Sequence, residues 1–147
     1  MRELRDFYNP NMTASINGTE FEVECPTARE GLRLRAIFSD PVQANKVDDL
    51  EEINRLFRGK GFDEHGVPSG GLWEELFAGG VSWEECLHLG MTALIHYGIG
   101  EKPAVAYWES AGKGLTAEPM RARHQSEPKG PTRKTARQRT KKVTAKK

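Results

Sequence analysis

The end of the chain sets the limit on what can fold. Residues 121–147 carry 11 Lys and Arg, one acid (Glu127), no aromatic residue and a single β-branched apolar residue, Val143. Such a stretch cannot bury enough apolar surface to offset chain entropy, and it reads as disordered. Folding is therefore expected of residues 1–114, with 115–147 as a disordered basic tail. Charge is segregated in the same way. Residues 1–120 hold 11 basic and 20 acidic residues, net −9, while 121–147 is net +10, so the overall +1 conceals an acidic body and a basic tail. Two roles are open to the tail. It can be a solubilising segment that folds back loosely on the acidic body. It can also be a contact arm for an acidic partner or nucleic acid, bound by counterion release. It lacks aromatics for base stacking, and the body would repel phosphate, so nucleic acid is not the favoured partner.

No run of about 18 apolar residues exists, so a membrane span is not expected. The charged opening, Met1 to Asp6, has no apolar h-region and does not resemble a secretory signal. Two cysteines, Cys25 and Cys86, make no disulfide framework and fit a reduced cytoplasmic setting.

The predicted fold class is mainly α: a small helical domain opened by a β-hairpin at about 11–24. Met12–Ile16 and Thr19–Val23 flank Asn17-Gly18, a pair suited to a type I′ turn. Phe21 and Val23 alternate with Glu20, Glu22 and Glu24, which places the two apolar residues inward. Thr27 and Glu30 have the spacing of a capping box for a helix running to Phe38, with Leu32, Leu34, Ala36, Ile37 and Phe38 as apolar cover. Ser39-Asp40-Pro41 stops it. Asp48 opens a second helix to Arg58, with Leu50, Ile53, Leu56 and Phe57 on one stripe and Gly59 past its end. Gly59 to Gly71 reads as a long glycine-rich loop, mobile or functional. Leu72–Ala78 is a short helix. Ser82 and Glu85 form another capping box for a helix to about Tyr97, striped by Trp83, Leu87, Met91, Leu94 and Ile95. Pro103 begins a last helix, Ala104 to Ala111.

Ligand-type and nucleophile-type residues are present without the spacing that chemistry needs. Cys86 and His88 are two apart on a helix, so they point about 200° from each other. His88 and His96 lie about 12 Å apart along the axis, too far to share an ion. Asp63-Glu64-His65 superficially resembles a helicase box but has no Walker A partner. Glu74-Glu75 and Glu84-Glu85 sit in helical first turns, where carboxylates complement the dipole. No catalytic, cofactor or metal site is expected. The remaining candidates are aromatic: Trp73, Phe77, Tyr107 and Trp108, which read either as core or as interface anchors.

Several segments carry a family likeness. They are Leu4-Arg5-Asp6-Phe7-Tyr8-Asn9-Pro10, Ile16-Asn17-Gly18, Cys25-Pro26 through Leu34, Gly80-Val81-Ser82-Trp83, Gly90-Met91-Thr92-Ala93 and Ala106-Tyr107-Trp108-Glu109. In these the chain resembles tail assembly chaperones of long-tailed, siphovirus-type actinobacterial phages, over most of residues 4–110. The resemblance implies a non-enzymatic protein without cofactors. Such a protein binds the tape measure protein, keeps it soluble in the cytoplasm of the infected host, and leaves before the virion is complete. It also implies, as further partners, a longer product of programmed frameshifting and other copies of the chain. On this reading Trp73, Phe77, Tyr107 and Trp108 are client anchors. Arg133, Lys134, Arg137, Arg139, Lys141 and Lys142 add weak electrostatic contact. The alternative is a nucleic-acid-binding or structural virion protein acting through the tail.

Overall fold

A computed structural model of the chain describes residues 1–111. The tail expected from residue 115, with its boundary at 114, lies outside the described residues. Among the described residues the fold is mainly α, with an N-terminal hairpin, as the sequence predicts. A 3-10 turn at Leu4–Asp6 leads into strands β1 (Met12–Ile16) and β2 (Thr19–Val23). Six helices follow: α1 (Ala28–Phe38), α2 (Pro41–Lys46), α3 (Asp49–Leu56), α4 (Leu72–Ala78), α5 (Trp83–Gly98) and α6 (Glu101–Glu109). Between α3 and α4 lie two short strands, β3 (Gly61–Phe62) and β4 (Pro68–Ser69).

The hairpin register is the one that the turn dictates. Ile16 faces Thr19 across Asn17 and Gly18, whose φ values of 53° and 80° are the left-handed conformations that a type I′ turn requires. Phe21 and Val23 are buried; Glu20, Glu22 and Glu24 are in water. The hairpin gains stability by docking on helices, since two strands alone are marginal. α5 is the hub of the molecule and packs against α1, α3, α6 and β1. Leu89, Ala93 and Leu94 of α5 meet Leu34, Ile53, Phe57, Trp73 and Leu76 in one core.

The structure corrects several expectations. Asp40 does stop α1, but its carboxylate also caps a new helix, α2, with Pro41 in the first turn. That helix buries no residue, so no apolar stripe announced it. On α1 only Leu34 is buried, while Leu32 and Ala36 face outward. The capping box there is half made: Thr27 accepts from the Glu30 amide, but the Glu30 carboxylate is taken by Arg33. α3 ends at Leu56, and Arg58, not Gly59, takes the left-handed conformation, φ 60°. Gly59 answers to packing instead, because a Cβ there would strike Asn54 and the Trp73 ring.

The loop expected at 59–71 is the small β3–β4 hairpin. Asp63 accepts from the amides of His65 and Val67 and so builds its turn, which gives Asp63-Glu64-His65 a structural role. Of the expected α5 stripe, Leu94 and Ile95 are buried and Leu87 and Met91 pack against the core, whereas Trp83 is 52% exposed; Cys86, Leu89 and Ala93 add a further buried face. The Ser82–Glu85 capping box is complete. α6 starts at Glu101, with Pro103 still inside its first turn.

Candidate partner-binding surface

α6 is a short helix laid along α5, and it leaves its C-terminal aromatics only half covered. Tyr107 and Trp108 are neighbours in sequence, and both stack on the His88 ring of α5, at centroid distances of 4.9 and 5.0 Å. His88 Nε2 lies 3.2 Å from the Trp108 carbonyl oxygen, which fixes the imidazole against the end of α6. The three rings form one surface, half-buried and built from two helices.

A cleft of about 650 Å³ opens on this surface, between His88, Tyr107 and Trp108 on one side and Ser15, Ile16 and Asn17 on the other. A second cleft, of about 360 Å³, continues past Trp108, bounded by Asn11 to Ala14 and by His96, Ala104 and Val105. Trp108 walls both, so a single groove follows the length of β1. Glu84 and Glu85 line the first part; Glu101 and Glu109 line the second. No Lys or Arg among the described residues lines either part. The groove is thus aromatic at its centre and acidic at its margins.

Its walls are held rigidly. Tyr97 is inserted into the hairpin ladder where Met12 faces Val23. Its hydroxyl accepts from the Met12 amide at 2.9 Å and donates to the Val23 carbonyl at 2.8 Å. Burial pushes the phenol pKa up to about 12, against a smaller lowering effect of the Met12 amide. One hydroxyl therefore pins the hairpin to α5. Burial also lowers the His96 pKa, partly offset by Glu101.

The aromatic candidates divide between core and surface. Tyr107 and Trp108 line the groove together. Trp73 is a correction: it is 1% exposed, with its indole donating to Asn54 and its face edge-on to Phe57, so it is core and not an anchor. Phe77 stacks on Trp73 and is 44% exposed, but it does not line this groove. Arg133, Lys134, Arg137, Arg139, Lys141 and Lys142 lie outside the described residues. The spacing of His88 from Cys86 carries no chemistry; its role is to support the rings of Tyr107 and Trp108 on the following helix. The acidic pair Glu84-Glu85 serves the α5 N-terminus, as its position suggests, and also edges the groove.

Elsewhere, Arg33 makes a two-pronged ion pair with the largely buried Glu52 and a further one with Glu30, which is packing between α1 and α3. The hydrogen bond that the guanidinium donates to Glu52 is the main cause of the raised Arg33 pKa. Cys86 is buried, and burial pushes its thiol pKa up. Among the described residues no group of three or more His, Cys, Asp or Glu is arranged to hold a metal ion. None of their helices is long and apolar enough to cross a membrane.

A family model described as a domain of unknown function (DUF7426) matches residues 2–143. No curated protein and no solved structure matches the chain.

Proposed function

The chain belongs to the DUF7426 family, and on that premise we propose that it is a phage tail assembly chaperone, non-enzymatic, which binds the tape measure protein and keeps it soluble during tail assembly. The family description assigns no role. The reading rests on the sequence resemblance and on one structural observation: half-exposed Tyr107 and Trp108, backed by His88, in an acid-edged groove.

A tape measure protein is a very long, largely helical chain that would otherwise present apolar stripes to water. Holding it takes a few aromatic anchors, surrounded by charge that keeps the holder itself soluble. The groove supplies both. The basic residues Arg133, Lys134, Arg137, Arg139, Lys141 and Lys142 add weaker, salt-sensitive contact. The setting is the cytoplasm of the infected host, with frameshifted and identical copies as further partners.

The test is co-expression of the tagged chain with the tape measure protein, followed by co-purification at low and high salt. Soluble client that stays bound at high salt is the expected result. Trp108→Ala should cost at least about 1–2 kcal/mol of client affinity if Trp108 is a buried anchor. Trp108 also packs on the core, so Tyr107→Ser provides a second, less intrusive lesion. Full client binding by folded forms of both variants would remove the groove from the account. Retention of nucleic acid in place of the client would favour the tail-based reading, whose support is the net charge of +10 over residues 121–147.

A further inference from the structure

α1 carries an apolar stripe on the side that folding does not use. Its core side is Leu34, with Ile37 and Phe38 half-buried beside it. On the outer side Leu32 is 68% exposed, in line with exposed Ala28 and Ala36, four residues before and after it. Arg29 and Arg35, three residues before and after Leu32, flank it and are also exposed. The solvent side of a helix docked on a core is ordinarily polar. Here it is a leucine between two low alanine shoulders, a surface on which a second helix can pack closely.

The charge around this stripe is the reverse of the body's. Beside Arg29, Arg33 leads into a cleft of about 220 Å³ between α1 and the end of α3, which Arg55 and Arg58 also line. Arg33 is committed to Glu30 and Glu52, and Arg58 to Glu24. Arg29, Arg35 and Arg55 have no acidic partner among the described residues. Arg29 stands in the first turn of α1, where the helix dipole disfavours a cation, so folding gives it no role. These five arginines and three glutamates make a patch of net charge +2, whereas the rest of residues 1–111 holds five basic and 16 acidic residues, net −11. A patch of the opposite sign to its surroundings steers partners of complementary charge. It shares its sign with residues 121–147, net +10, and so selects against the chain's own basic run.

We propose that the outer face of α1, together with the end of α3, is a docking surface for an acidic amphipathic helix of another protein. A large apolar residue of that helix lies beside Leu32, over Ala28 or Ala36, and its carboxylates meet Arg29, Arg35 and Arg55. A guanidinium receives a carboxylate through two parallel N–H donors, which fixes register as well as sign. Nucleic acid fits less well. Glu24, Glu30 and Glu52 stand among the arginines and repel a phosphate backbone, and an exposed leucine offers that backbone nothing. None of these residues lines the β1–α6 groove, so the surface holds its partner whatever fills that groove.

The probe is a synthetic helical peptide with leucines four residues apart and glutamates on both flanks, titrated into the isotope-labelled full chain at low salt. Amide shifts are expected at Arg29, Leu32, Arg35 and Arg55 and not at Ser15 or Trp108. The same peptide with lysine in place of glutamate should bind at least about tenfold more weakly, since three charge pairs change sign. Leu32→Ser, and separately Arg29→Glu with Arg35→Glu, should each weaken the glutamate peptide about fivefold or more. All three positions are exposed, and an unchanged denaturation midpoint certifies the fold of each variant. Where the midpoint falls, Leu32→Ala, or Arg29→Gln with Arg35→Gln, takes its place. No binding, shifts centred on another face, affinity unchanged in the variants, or equal affinity for the lysine peptide overturns the proposal. So does tighter binding of a DNA duplex at the same amides, which would assign the arginines to phosphate.

Discussion

Tyr97 does more for the candidate surface than any residue that lines it. Its hydroxyl serves two backbone groups, of Met12 and Val23, that lie 85 and 74 residues away in sequence. Tyr97→Phe removes an acceptor and a donor at once and leaves a part-buried amide and carbonyl to find each other or water. A loss of about 1–3 kcal/mol is expected, read as a lower denaturation midpoint with an unchanged slope. The folded phenol pKa, about 12, lies above the ordinary value of 10.0. The neutral phenol therefore stabilises the fold below pH 10, and that contribution is lost as pH rises from 10 towards 12. In Tyr97→Phe this alkaline decline should be shallower. His96 works in the opposite sense. Its folded pKa is held below 6.5 by burial, so the unfolded chain takes up the proton first, and stability falls as pH drops below 6.5 until the folded imidazole titrates. His96→Gln should flatten that part of the acid profile, measured as the midpoint difference between about pH 7 and about pH 5. Neither residue was legible from the sequence, because local spacing contains nothing about partners so far along the chain.

At the scale of elements, legibility followed burial and capping. β1, β2 and α4 are where the sequence placed them, since each carries a turn or stop signal together with apolar residues that the core uses. α2 was missed because it has caps but no buried face, and β3–β4 because two-residue strands have no period to read. The stripe of α5 holds for Leu87, Met91, Leu94 and Ile95 but is incomplete, because this helix is covered on several sides and no single stripe describes it. One close crossing of α5 is with α3, at Gly90. A Cβ added there would lie 2.6–2.8 Å from three atoms of the Ile53 side chain, which is fully buried. Alanine gains about 1 kcal/mol of helix propensity over glycine, but overpacking a closed core costs about 1–3 kcal/mol, so Gly90→Ala should be neutral to destabilising by about 2 kcal/mol. Ile53→Ala alone opens a cavity and should cost about 2–5 kcal/mol. The double variant should then be more stable than the sum of the two, because the new methyl enters space that Ile53 vacated. A double-mutant cycle with no coupling energy would show that α3 and α5 are not locked at this point.

For the whole molecule, stability is expected to be graded outwards from α5. Among the described residues the buried core is one cluster centred on that helix and its partners, whereas α2 and the Leu4–Asp6 turn bury nothing. Segments without buried apolar contacts open locally at little cost, and core segments exchange only when the whole domain unfolds. Native-state hydrogen exchange should accordingly give amides of Leu89–Ile95 the global unfolding free energy and amides of α2 a value close to zero. The two cysteines offer an independent reading of the same gradient. Cys86, on the inner face of α5, is buried with its thiol pKa raised, so it is shielded and poor in thiolate. Cys25 is half-buried at the hairpin exit, where its backbone is tied to Asn11. A thiol reagent should modify Cys25 in the native protein, while Cys86 should react at a rate set by the unfolding equilibrium and rise with denaturant in step with the slowest amides. Modification of Cys86 at native conditions faster than exchange of Leu89 would mean that α5 opens by itself. The hub would then lie elsewhere, and the groove built on α5 would have a mobile floor in place of a fixed one.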